Sequence, residues 1–157
     1  MNNDLVERFA AGADKVRLAI AGLVRADCIA RPGPGAWSIQ ELVIHLADSD
    51  AVAIERMKRV IAEKEPILRA YDENAWIQHH FCNDQSIEDA AILFEVNRRQ
   101  MARILRRQPA EAFDRFGMHS DYGRVTLGKL LTTYLDHLEH HLKFLREKRE
   151  RLGKPLK

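Results

Sequence analysis

The run His137-Leu138-Glu139-His140-His141 concentrates three of the chain's seven histidines in five residues. On an α-helix, at about 100° per residue, His137 and His141 lie roughly 40° apart around the axis and one turn apart along it, so both imidazoles reach one point. They also interrupt an apolar seam, because Leu127, Leu130, Tyr134, His137, His141 and Phe144 follow one another at spacings of three and four. A buried imidazole presents two ring nitrogens, and a stacked pair is costly to bury unless hydrogen bonds or a cation engage them. A shared divalent cation is the chemistry this pair suits. His140 is about 60° round from His137, toward the flank, and Glu139 about 200° round, facing away. The segment therefore matches a zincin HExxH helix only in its outer histidines, and the glutamate that serves there as base is displaced by one position.

An isolated HxxxH pair also arises by chance on long charged helices, so a metal requires a third ligand. His45 is the best candidate, set between Leu42 and Leu46 near the apolar face of an earlier helix, with Asp48 one turn onward to orient its ring or bind water. His79, His80 and His119 fall in segments read as loops, where a histidine is ordinarily solvated. Cys28 and Cys82 have no neighbouring base or second cysteine and read as small buried hydrophobes, leaving nitrogen and oxygen ligands. The expected metal set is His45, His137 and His141, with no catalytic base and no residues for an organic cofactor identified.

Four helices are expected to position these residues. The first runs from about Asn3 to Asp27 on Leu5, Phe9, Val16, Ile20 and Leu23, and stops before the stiff Arg31-Pro32-Gly33-Pro34-Gly35 loop. Ser38 with Glu41 makes a capping box that opens the second helix, Trp37 stapling its entry, and Pro66 marks its end. Glu41 is accordingly a capping residue rather than an acid for His45. Residues 67–85 show no sustained period and read as a long connection with at most a short helical turn; in a bundle, its Tyr71, Asp72, Glu73 and Trp76 can fold over one end and line an entrance to the metal. Ser86 with Asp89 opens a third helix to about Arg107, and after a loop containing Gly117, Asp121 and Gly123, Thr126 caps the last helix. No convincing alternating strand is visible. The expected fold is all-α, a single four-helix-bundle domain over residues 1–157 with a long connection between helices two and three.

Whole-chain properties exclude several functions. A length of 157 residues suits one domain. No apolar run approaches the roughly 20 residues that span a bilayer, and no signal segment follows Met1, so the expected location is the cytoplasm. Lys and Arg exceed Asp and Glu by only two, too little for a field that gathers nucleic acid or an anionic membrane. Arg98, Arg99, Arg103, Arg106 and Arg107 could form an anion-binding face on the third helix, but such faces are ordinarily just solvated.

The segments WSIQELVIHLADSD, from Trp37 to Asp50, and TLGKLLTTYLDHLEHH, from Thr126 to His141, resemble the DinB-like, or YfiT-like, metalloenzyme superfamily, with the order and spacing of nearly the whole chain. The resemblance implies a four-helix bundle with a three-histidine metal site at His45, His137 and His141. Many members carry glutamine three residues after the last histidine, where this chain has Phe144, so a polar contact to ligand or substrate is absent there. Some members are thiol transferases that use low-molecular-weight bacterial thiols.

Three imidazoles leave coordination positions open, as catalytic sites do. The expectation is therefore a metal-dependent enzyme carrying one divalent ion, zinc or nickel, with a low-molecular-weight thiol as second cofactor, transferring that thiol to small electrophiles. Its expected partners are a small-molecule substrate and, as a homodimer, a second copy of the chain, without nucleic acid or membrane. The alternatives are a metal-dependent hydrolase and a non-catalytic bundle that binds metal or ligand in stress handling.

Overall fold

The computed structural model describes residues 2–31 and 36–156; the loop expected at Arg31–Gly35 therefore lies, after Arg31, outside the described residues. The single helix expected from Asn3 to Asp27 is three short ones, α1 (Asn2–Ala10), α2 (Lys15–Ile20) and α3 (Arg25–Ile29). A glycine stands at each break. A Cβ on Gly12 would lie 2.8 Å from Leu138 Cδ2 and 2.9 Å from Arg98 Nη1, so the chain comes too close to its neighbours there for a side chain. Gly22 adopts φ +75°, a left-handed conformation that ordinary residues avoid and that ends α2. The apolar face is nevertheless buried as expected, with Phe9 and Val16 fully inside.

The next helix, α4 (Ile39–Ala62), begins where the capping box places it. Ser38 Oγ accepts the Glu41 amide hydrogen at 3.1 Å, and the Glu41 carboxylate accepts that of Ser38 at 2.8 Å, so Glu41 is the cap expected of it. The connection that follows holds β1 (Ile67–Leu68) and α5 (Glu73–His79), then a short 3₁₀ turn at Cys82–Asp84. Ser86 caps α6 (Ile87–Leu105) through the Asp89 amide. A hairpin, β2 (Phe116–His119) and β3 (Gly123–Thr126), leads to α7 (Leu127–Arg151), whose cap is Thr126.

The fold is thus mainly helical but not purely so. The strands form one sheet in the order β1-β2-β3, with β1 parallel to β2 (Ile67 opposite Met118) and β2 antiparallel to β3 (Phe116 opposite Thr126). Strands of two to four residues are too short to display the alternation by which a strand is read from sequence, which is why this segment looked like loop. The sheet ties the connection to the entry of α7, and Arg115 fastens it to α4 by donating to the carbonyls of Val60 and Glu63.

Helix α4 packs against both α6 and α7, while α1 and α2 close the other side against the same two helices. The core falls into two apolar clusters. One gathers α2, α3, the first half of α4, Phe94 and Leu138; the other gathers α1, the second half of α4, Met101 and Leu131. Asp50 and Arg98 stand between them, each side chain 1% exposed, with Arg98 Nε donating to Asp50 Oδ1 at 2.8 Å and Nη2 to the Tyr134 carbonyl at 2.9 Å. The guanidinium lies over the rings of Phe9 and Phe94. Burial pushes the Asp50 carboxyl up to about 6, and Arg98 opposes that shift. The arginines of α6 do not form one anion-binding face, since Arg98 is core while Arg99 pairs with Glu95 and Arg106 with Glu7. No described helix is long and apolar enough to cross a membrane.

Candidate metal centre

The Ser38 cap sets the start of α4, and two turns later the helix delivers His45 to the interior, where the residue is 2% exposed. On α7, His137 and His141 face it from the interrupted seam, half-buried. Nε2 of His137 lies 3.1 Å from Nε2 of His45 and 3.1 Å from Nε2 of His141. One donor nitrogen from each ring falls within 4.8 Å of the others, a group the described residues form nowhere else with histidine, cysteine or carboxylate.

Hydrogen bonding alone does not satisfy this arrangement. Nε2 of His137 offers either one hydrogen or one lone pair, yet it faces two other ring nitrogens at the same distance. A cation that takes up all three lone pairs would resolve the conflict, so the donor set fits a nitrogen-ligated divalent ion. Burial keeps the rings neutral and ready to ligate. Desolvation, with His141 adding a smaller repulsion, pushes His45 down to about 4. Desolvation followed by repulsion from His141, His45, Arg98 and His140 pushes His137 to about 3. Desolvation and then His140 bring His141 to about 4. Nδ1 of His141 is buried without a partner among the described residues, so it lacks the carbonyl or carboxylate that often orients a ligating imidazole.

Other groups wall the cluster. The Trp37 ring packs on His45 with centroids 4.9 Å apart, so the residue expected to staple the helix entry also covers the site. Tyr134, one turn before His137 on α7, accepts a hydrogen bond from Arg56 Nη1 at 2.7 Å; Arg56 Nη2 donates to the Arg69 carbonyl. Burial raises the Tyr134 hydroxyl, against the lowering influence of Arg56. Sequence reasoning missed Arg56, whose only signal was a charge between the apolar residues Ala53 and Met57. Of the connection, Glu73 of α5 brings Oε2 to 3.8 Å from His45 Nε2, while Tyr71 and Trp76 pack at a tilt against each other and line a different cavity.

The remaining candidates sort plainly. Asp48 lines a separate cavity of about 760 Å³ with Glu55, Arg59, Arg69, Tyr71 and Trp76, where burial raises its carboxyl. Glu139 pairs with Lys15 on the opposite flank. His140 is exposed and packs edge-on against Phe144, outside the cluster. His79 and His80 are exposed at the end of α5, in a helical turn rather than a loop. His119 is in β2 and buried, with Nδ1 accepting the Asp121 amide hydrogen, so its reading as a solvated loop residue is corrected. Cys28 and Cys82 are free and buried, and burial raises both thiols, consistent with inert packing groups.

Comparison with known proteins identifies the family and the fold. Residues 8–145 match the model of the DinB superfamily. A protein of Oceanobacillus iheyensis is 32% identical over 108 residues, covering 69% of this chain and 62% of the relative. YfiT of Bacillus subtilis is 33% identical over 124 residues, covering 76% of this chain and 67% of the relative. Both relatives carry the name "Putative metal-dependent hydrolase", and the match spans roughly two thirds of their length. The solved structure of YfiT, described as a probable metal-dependent hydrolase with an unusual four-helix bundle topology, superposes with a TM-score of 0.89 at 24% identity, over 97% of this chain and 87% of that one. At that identity the superposition speaks to fold.

Proposed function

This chain belongs to the DinB superfamily, and we propose that it is a metal-dependent enzyme in which His45, His137 and His141 hold one divalent ion and a small protic nucleophile attacks a small electrophile beside them. The observation that carries this reading is the convergence of three neutral imidazoles through Nε2 on one point. Three nitrogen ligands leave coordination positions open, and zinc or nickel suits such a set. A bound ion of this kind supplies Lewis-acid chemistry, lowering the pKa of water or a thiol so that it reacts near neutral pH.

The chain's own residues define the rest. The three imidazoles remain deprotonated at neutral pH, Trp37 excludes water from one side of His45, and the Arg56–Tyr134 pair sets a polarised hydroxyl one turn from His137. We take the nucleophile to be a low-molecular-weight thiol, making the reaction a thiol transfer. A second form, with water as nucleophile, is favoured by the relatives' names, which read "Putative metal-dependent hydrolase".

Turnover separates these readings. Metal-loaded protein should couple a small thiol to an electrophile such as an activated haloarene, and chelated protein should not. Ester or amide cleavage without thiol by the loaded form would select the hydrolase. Equal rates in loaded and chelated protein for every substrate would leave only a non-catalytic binding role.

A further inference from the structure

The connection between α4 and α6 delivers one acidic side chain to the histidines. Glu73 is the first residue of α5, and its position is fixed by Asp72, whose carboxylate accepts the Ala75 amide hydrogen at 2.9 Å. Its Oε2 lies 3.8 Å from Nε2 of His45, the same nitrogen that faces His137. The carboxylate does not join the donors that all lie within 4.8 Å of one another, so it stands beside the cluster and outside its ligand set. Its side chain is 53% exposed where that of His45 is 2% exposed, which makes it the solvent-side lip of the site. No lysine or arginine pairs with it among the described residues; its contact is with the neutral ring of His45.

An ionised carboxylate only accepts hydrogen bonds, and it repels anions. At the lip of a centre with open positions, it selects neutral protic ligands and orients them. We propose that Glu73 is a positioning residue for the nucleophile, its carboxylate accepting a hydrogen bond from the water or thiol that enters the open side of the three-histidine centre. This assignment rests on the metal reading above and deepens it. Helix α5 is then more than a cover, because its register decides whether the carboxylate reaches the entering group. The side chain is more than half exposed, so its replacement leaves folding intact.

The test uses cobalt(II)-loaded wild type, Glu73→Gln and Glu73→Ala, with azide as an anionic probe of the open positions, followed by visible absorption. Both variants should retain cobalt with affinity within about threefold of wild type and bind azide about tenfold more tightly, since a nearby negative charge has been removed. Azide affinity unchanged in both variants would overturn the assignment, as would loss of cobalt from both, which would make Glu73 a ligand. A wild type that takes up no cobalt would instead overturn the metal reading itself, and this inference with it.

Discussion

Nε2 of His45 and Nε2 of His137 lie 3.1 Å apart although 92 residues separate them in the chain. Desolvation dominates the environment of both rings, holding each neutral. In the metal-free protein this has a pH consequence. The folded-state values are depressed to about 4 and about 3, below the ordinary 6.5, so as pH falls below about 6.5 the unfolded chain takes up protons that the folded chain refuses. Stability from these groups is full above that value and is lost between it and about 3. Urea unfolding of chelated protein should show a midpoint that falls steeply over this window, and His137→Leu should flatten the slope. A midpoint independent of pH there would show that the rings are not desolvated.

The Asp50–Arg98 pair makes a separate prediction. Both groups are buried between the two apolar clusters, so removing one leaves an uncompensated charge. Asp50→Leu and Arg98→Met should each cost about 3–5 kcal/mol in denaturant unfolding, and the double variant less than the sum. Additive losses would mean the pair is not coupled as the geometry indicates.

Tyr134→Phe removes the acceptor of a buried guanidinium nitrogen. The expected loss is about 1–3 kcal/mol of stability, with metal stoichiometry unchanged, because the hydroxyl is not a ligand. A variant as stable as wild type would show that Arg56 finds another partner without cost.

How far the sequence reaches can be seen residue by residue. Ser38 and Thr126 were recognisable as caps because the spacing of polar side chain and helix start is a local property. His45, His137 and His141 could be read as one set because two lie at helical spacing and the third stands in an apolar face, both of which follow from period alone. The close approach at Gly12 was not readable, since Leu138 and Arg98 reach it from elsewhere in the chain. The pairing of β1 with β2, between residues about 50 apart, and the position of Glu73 over α4 depend likewise on tertiary contacts that no local pattern encodes.

Metal should also act on stability. A divalent ion that binds only the folded chain stabilises it by about 2.7 kcal/mol at a free concentration one hundred times its dissociation constant. Zinc or nickel should therefore raise the melting temperature of chelated wild type but not of His141→Ala. Equal shifts in both would place the ion elsewhere.

The central claim is that His45, His137 and His141 together hold one divalent ion, and elemental analysis of purified protein tests it most directly. Wild type at about pH 7.5 should carry close to one equivalent of metal per chain, and His45→Ala and His137→Ala should each lose it while remaining folded. A wild type without metal after incubation with zinc and nickel, or full retention by both variants, would contradict the account.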